Sequence, residues 1–329
     1  MSPLPTAPSR RAFLTGGLAL TAAGFLAACG AGTQGSGGGG GWSFTDDVGT
    51  KVDLDARPAR IAGLNDAIAS LWNYGITPVA SFGYTALEDD VNVKGRDLAP
   101  VKQVGRTYGE IDIEALAAAK PDVIVTHAYP VDSAGKLDPA KPLYGFKDIT
   151  QQQAVAEIAP IIALKMAGSA TNVVDRTAEL ARALGAEPTG RQDYETARTR
   201  LRAAAVQGLT VMAIAAYPGD GVYIAKAPDD PALRSYTELG LTYPDPGGST
   251  YYWEQVSWEN IGRHSTDVVL YSLRAMDKAT LLQQPTFARL PAAVAGQVYP
   301  WEFSSMDYVA QARTLNNLAA NLESARKVA

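Results

Sequence analysis

Asp112–Val125 reads DIEALAAAKPDVIV, and Ser257–Leu270 reads SWENIGRHSTDVVL. In each stretch a residue suited to cap a helix is followed two places on by a glutamate, Glu114 or Glu259. Eight places later an aspartate, Asp122 or Asp267, opens a β-branched apolar run. Both stretches read as cap, short helix with a glutamate in its first turn, then strand. Tyr74–Pro78 (YGITP) and Leu239–Pro244 (LGLTYP) lie upstream, each ending a helix with glycine and entering a strand. The same order in each half suggests two related α/β lobes.

The surrounding chain continues the alternation. RIAGL from Arg60, PVASFGY from Pro78, DVIVTHAY from Asp122 and IIAL from Ile161 are strand-like, separated by helix-like NDAIASLWNYG from Asn65 and IDIEALAAAK from Ile111. TVMAIAAY, GVYIA, DVVLYSL and QVYPWEF repeat the pattern after Thr210, with RSYTELG and SWENIGRH as helical pieces. Such alternation implies mainly parallel sheets whose ligands bind beyond the carboxyl ends of the strands. WSFTDDVGTKVDL from Trp42 reads as a hairpin turning near Asp47–Thr50. Pro188–Gly208 carries Tyr194, Ala197, Leu201, Ala204 and Ala205 at helical spacing, the pattern of one connecting helix of roughly 30 Å at 1.5 Å per residue. A surface helix within one larger domain would show the same pattern. The organisation expected is residues 42–187 as a first lobe, 188–207 as the connecting helix and 208–329 as a second lobe.

Residues 1–28 read as an export signal. Arg10 and Arg11 precede an uncharged apolar run from Ala12 to Ala28, too short and too rich in glycine and alanine for a good membrane span. SRRAFL resembles a twin-arginine signal, although Thr15 stands where lysine is common, so the general secretory route stays open. LAAC resembles a lipobox, which makes Cys29, the only cysteine, the lipidated first residue of the mature chain. Residues 29–41, almost all glycine and small polar residues, are expected to form a flexible tether. With Arg10 and Arg11 removed the body is more acidic than the whole chain's net −5, and no long basic run is present, which argues against nucleic acid as a partner.

Many of the fifteen tyrosines and five tryptophans fall just after strand-like runs. Tyr84, Tyr108, Tyr129, Tyr217, Tyr251, Tyr252, Trp253 and Trp301 are the candidates for a cleft lining, since their broad apolar faces and single polar atoms suit a bulky, partly apolar ligand. Arg106 and Arg274 sit in the same loops and are candidates to meet an anionic oxygen, with Lys226 a further cation nearby; structural salt bridges would look the same. Trp258 is assigned to packing. The long Pro130–Gln153 segment, with Tyr144 and Phe146, reads equally as a cover over the cleft and as a surface insertion. Only His127 and His264 represent histidine, which argues against a His-rich metal site. No phosphate-binding or nucleophile motif occurs in a credible context.

PARIAGLN (58–65), LWNYGITPVASFGY (71–84), VGRTYGEIDIEALAAAKPDVIV (104–125), WEQVSWENI (253–261) and LPAAVAGQVYPWEF (290–303), in this order, resemble the class III substrate-binding proteins of ABC importers for ferric siderophores, haem and corrinoids. The resemblance runs from the hairpin to the last residues. It implies two Rossmann-like α/β lobes bridged by one long helix, a ligand cleft between them, and no enzymatic activity or cofactor. It implies that the iron is held by the siderophore and that Glu114 and Glu259 dock a monomeric, lipid-anchored carrier onto a permease dimer with its ATPase. DIE at Asp112–Glu114 replaces the frequent NLE wording. The composition of the expected lining favours a hydroxamate siderophore; haem, with His127, Tyr84 or Tyr129 as axial ligand, and a corrinoid are the alternatives. From another class, a lipid-anchored enzyme or sensor on the same fold is the competing reading.

Overall fold

Trp42–Thr45 (β1) and Lys51–Leu54 (β2) pair antiparallel in the expected hairpin. Asp46 fixes its turn, accepting from the N–H groups of Val48 at 3.1 Å and Thr50 at 2.7 Å. The computed structural model describes residues 41–329. The expected export signal with Arg10 and Arg11, Cys29 and nearly all of the expected tether lie outside the described residues. None of the described helices is long and apolar enough to cross a membrane.

The first lobe contains Ile61–Leu64 (β3), Asn65–Asn73 (α1), Ala80–Phe82 (β4), Lys102–Gln103 (β5), Ile113–Ala118 (α2), Val123–Ala128 (β6), Ile149–Ala156 (α3) and Ile161–Lys165 (β7). Its sheet runs β5-β4-β3-β6-β7 with every pair parallel. Central strands covered on both faces need continuous apolar runs, which is what IAGL and VIVTHA supply. At Gly63 a Cβ would collide with the Val125 carbonyl oxygen, so glycine permits the close pairing of β3 with β6. Aspartates cap α2 and α3, the Asp112 and Asp148 side chains accepting from the Ala115 and Gln151 N–H groups.

The chain crosses through Ala170–Ala183 (α4) and Arg191–Ala205 (α5) into the second lobe. There lie Val211–Tyr217 (β8), Gly221–Ala225 (β9), Pro231–Glu238 (α6), Trp253–Val256 (β10), Val268–Ser272 (β11), Lys278–Leu282 (α7), Pro291–Val294 (α8) and Val298–Trp301 (β12). Tyr308–Ser324 (α9) follows. The sheet order is β10-β9-β8-β11-β12. Strands β8, β11 and β12 are parallel, whereas β9 runs antiparallel to both of its neighbours, β8 and the edge strand β10. The departure from a parallel sheet has a simple cause. Only Pro218–Asp220 separates β8 from β9, enough for a hairpin and too little for a crossover.

Helix α5 opens after Gly190, whose φ of 86° ends any helical run from Pro188, so the helix is about 22 Å long rather than 30 Å. Its Tyr194, Ala197, Leu201 and Ala204 face is buried, and α9 packs along it. The lobes are joined a second time. After β12 the Glu302–Asp307 segment returns to the first lobe, where the Ser305 N–H meets Asn92 Oδ1 at 3.0 Å and Asp307 Oδ2 accepts from Asn73 at 2.8 Å. One apolar core runs from the first sheet through α4, α5 and α9 to the inner face of the second sheet. A smaller cluster, which includes Trp258 as a partly buried member, covers the second sheet's other face.

Candidate functional site

In both sheets the order of strand addition switches sides at a central strand, between β3 and β6 in one lobe and between β8 and β11 in the other. At such switch points the loops beyond the strand ends part and leave a crevice. Tyr129 directly follows β6, Tyr217 ends β8, and Arg274 lies two residues past β11. These loops enclose a cavity of about 580 Å³ lined by Tyr84, Tyr108, Tyr129, Tyr144, Tyr217, Tyr251, Tyr252, Trp253, Phe303 and Arg274, with Pro130, Ala215 and Ser272.

The rings form continuous walls. Tyr108, Tyr144 and Tyr129 stand with centroids 5.2 and 4.8 Å apart, and Tyr252 and Trp253 at 5.0 Å. Burial pushes the Tyr84, Tyr129 and Tyr252 phenols well above their ordinary value of 10, and the Tyr144 and Tyr251 phenols up to about 12. At neutral pH these five rings are therefore uncharged.

Arg274 is the only charged residue of the lining. Its Nη2 donates to Asp66 Oδ1 at 2.6 Å, and its guanidinium lies 4.4 Å from the Tyr84 ring centre and 5.0 Å from that of Phe303. Burial acts to lower its pKa, but Asp66 and the other neighbouring acidic groups hold it above the ordinary arginine value. The Tyr84 hydroxyl also donates to Asp66 Oδ1, at 2.7 Å. A much smaller cavity of about 40 Å³ adjoins the first, sharing Tyr129, Tyr252, Arg274 and Phe303, and reaches Asp66, His127, Asp230 and Trp301. Burial takes His127 down to about 4 and pushes the Asp230 carboxyl up, opposed by hydrogen bonds from Tyr252 and the Leu233 N–H.

Of the ten ligand-contact candidates from the sequence, eight line the larger cavity. Arg106 does not: its exposed guanidinium pairs with Glu88 at 2.8 Å. Trp301 does not either. It is 2 % exposed and packs behind Phe303, centroids 4.3 Å apart. Lys226 is committed to the loop before Tyr251, donating to the Gly248 and Thr250 carbonyls at 3.1 and 2.7 Å. The Pro130–Gln153 segment contributes Tyr144 to the wall and buries Phe146 against Phe82. It is pinned by the Tyr144 N–H donating to the His127 carbonyl at 2.9 Å. Asp66 and Phe303 went unread. Asp66 lies two residues past the end of β3, a signal available in the sequence, whereas Phe303 reaches the wall through the return crossing.

Glu114 is exposed in the first turn of α2, as its spacing from Asp112 suggests. Glu259 differs. It is exposed, but it sits in a turn at Trp258–Asn260 ahead of a 3₁₀ turn at Ile261–His264 and not in an α-helix. The Asn260 N–H closes this turn onto the Ser257 carbonyl at 3.0 Å. Its own backbone N–H and the Ser257 hydroxyl hold the Glu259 carboxyl below the usual range. Among the described residues no group of three or more His, Cys, Asp or Glu side chains is placed to hold a metal ion.

A family model described as periplasmic binding protein matches residues 65–304. The ferric-siderophore receptor protein DesE of Streptomyces coelicolor is 30% identical, with a TM-score of 0.78, over 88% of this chain and 100% of its own. FeuA of Bacillus subtilis, a triscatecholate siderophore binding protein complexed with ferri-bacillibactin, aligns with a TM-score of 0.61 at 16% identity, over 87% of this chain and 99% of its own. FhuD2 of Staphylococcus aureus, with bound ferrioxamine B, aligns with a TM-score of 0.55 at 15% identity, over 80% of this chain and 98% of its own. At those two identities the likeness is one of fold alone. No curated protein matches the sequence.

Proposed function

The chain belongs to the periplasmic binding protein family, as a binding protein and not an enzyme, and from that premise we propose that it captures a ferric siderophore of the hydroxamate type in the tyrosine-walled cavity. The observation that carries this reading is the wall itself: seven tyrosines, one tryptophan and a single cation already answered by Asp66. A ferric tricatecholate bears several negative charges and calls for a cluster of free basic side chains. A ferric trihydroxamate is neutral or cationic, and its organic shell is well covered by phenol and indole faces. The likeness to DesE supports the siderophore class. FeuA and FhuD2 share the fold yet are described with a triscatecholate ligand and with ferrioxamine B, so the fold does not choose the chelate.

In the same reading the loaded protein is a monomeric carrier at the outer face of the cytoplasmic membrane, held by lipid on Cys29. It meets an ABC permease dimer with its ATPase through Glu114 and Glu259. Two exposed carboxylates on separate lobes suit arginine pockets. Haem fits less well: the His127 imidazole is buried outside the larger cavity, the Tyr84 hydroxyl is taken by Asp66, and burial opposes ionisation of the Tyr84 and Tyr129 phenols to axial phenolates.

The test is a titration of the purified body with a ferric trihydroxamate, a ferric tricatecholate, haemin and cobalamin, followed by tryptophan fluorescence. Binding at micromolar or tighter, about −8 kcal/mol, is expected for the trihydroxamate, and Trp253→Ala weakens it. Tight binding of the tricatecholate or haemin with no response to the trihydroxamate overturns the hydroxamate assignment.

A further inference from the structure

Tyr252 lines the cavity with a backbone φ of 71°, a region that bulky residues rarely adopt. Such a residue persists only where its surroundings hold it. Three contacts do so here. The Tyr252 N–H donates to Asp229 Oδ2 at 3.0 Å, its carbonyl accepts from the Lys226 N–H at 2.8 Å, and its hydroxyl donates to Asp230 Oδ2 at 2.5 Å. Asp230 is 5 % exposed, and its other oxygen accepts from the Leu233 N–H at 2.8 Å as the cap of α6. Both of its oxygens are therefore committed, and it forms no ion pair among the described residues.

The direction of that hydroxyl bond matters. Both Asp230 oxygens accept, so the one phenolic proton of Tyr252 is directed to Asp230 and the phenol oxygen has only lone pairs left to offer. Tyr84 is in the same position, its proton directed to Asp66. Asp66 answers Arg274, whereas Asp230 has no cationic partner among the described residues. The rear of the cavity is therefore acceptor-rich: of the charged residue types lining the small cavity behind it, Asp66, Asp230 and Glu302 are acidic and Arg274 alone is basic.

We propose that Asp230, acting through Tyr252, is a specificity-determining positioning residue that makes the cavity prefer a positively charged ferric chelate bearing N–H donors over an otherwise identical neutral one. This rests on the cavity being the chelate site.

The experiment compares a linear ferric trihydroxamate ending in a primary ammonium with the same chelate N-acetylated, which removes the charge and leaves the iron centre unchanged. The wild-type protein is expected to bind the ammonium form about tenfold more tightly, the scale of one hydrogen bond to a charged group. Asp230→Asn keeps an oxygen for the Leu233 N–H, donates its amide to the phenol oxygen and frees the phenolic proton for the cavity. Its expected preference falls to within about twofold at a near wild-type melting temperature, since asparagine caps helices as well as aspartate. Tyr252→Phe, which removes the acceptor itself, is expected to lose the preference as well and serves if the first variant fails to fold. Equal binding of the two chelates by the wild-type protein overturns the inference and leaves the siderophore reading standing, as does a preference that survives in both variants. Failure of either chelate to bind the wild-type protein removes both.

Discussion

Arg274 Nη2 stands 2.6 Å from Asp66 Oδ1, and this contact ties the loop after β11 in one lobe to the first turn of α1 in the other. The carboxylate also takes the Tyr84 hydroxyl and, at 3.3 Å, the Asn92 amide. A single aspartate thus orders one wall of the cavity and one junction of the lobes.

Asp66→Ala leaves a largely buried guanidinium without its counter-charge. The expected cost is about 3 kcal/mol, read as a lower urea midpoint at unchanged slope. Asp66→Asn, which still accepts from Tyr84 and Arg274, is expected to cost less. Equal midpoints for wild type and Asp66→Ala would show that the pair adds nothing to stability.

His127 confers a pH dependence of stability. Burial lowers its folded-state pKa from 6.5 to about 4, so between those values the unfolded chain binds a proton that the folded chain refuses. Its contribution is complete above about pH 6.5 and is lost as pH falls towards 4, by on the order of 3 kcal/mol. His127→Leu is expected to flatten the curve over that window. Asp90, Asp230 and Asp307, raised by burial, act with the opposite sign in both proteins and cancel in the difference.

Glu114 and Glu259 are exposed and remote from the cavity lining. Replacing both with lysine is expected to leave chelate affinity within about twofold and to abolish uptake in cells carrying the cognate permease, by setting like charges against its arginines. Each substitution should shift stability by no more than about 1 kcal/mol. Loss of chelate binding by the purified double variant would place these carboxylates at the ligand instead.

Cys29→Ala removes the only thiol. The expected product is exported, folded and ligand-competent, and appears in the soluble fraction on cell fractionation. A variant still sedimenting with membranes after export would rule out lipid on Cys29 as the anchor.

What could be read in the sequence follows physical rules that act locally. Alternation of apolar runs, aspartate caps and glycine stops located most elements, and the rule that ligands gather beyond strand ends located eight wall residues. Trp301 and Arg106 obey the same positional rule yet turn elsewhere. A position past a strand gives the loop and not the rotamer, and Trp301 is drawn into packing behind Phe303. Glu259 was placed in a helix because its spacing copies that of Glu114, but the Ser257–Asn260 turn offered that segment a shorter closure. The commitments of Tyr84 to Asp66 and of Tyr252 to Asp230 connect residues 18 and 22 positions apart and leave no mark on periodicity.

The two crossings between the lobes, α5 and Glu302–Asp307, share one continuous core with both sheets. Bodies fastened at two places and filled by common packing do not swing apart as a single hinge would allow, so the separation of Glu114 from Glu259 is set by the covalent frame and varies little with occupancy. If Glu114 and Glu259 dock the carrier as proposed, an empty molecule then offers the permease the same pair of handles as a full one. On that reading empty and loaded molecules compete for one landing place, and the rate of iron entry through a saturated permease follows the fraction loaded, not the number of carriers made.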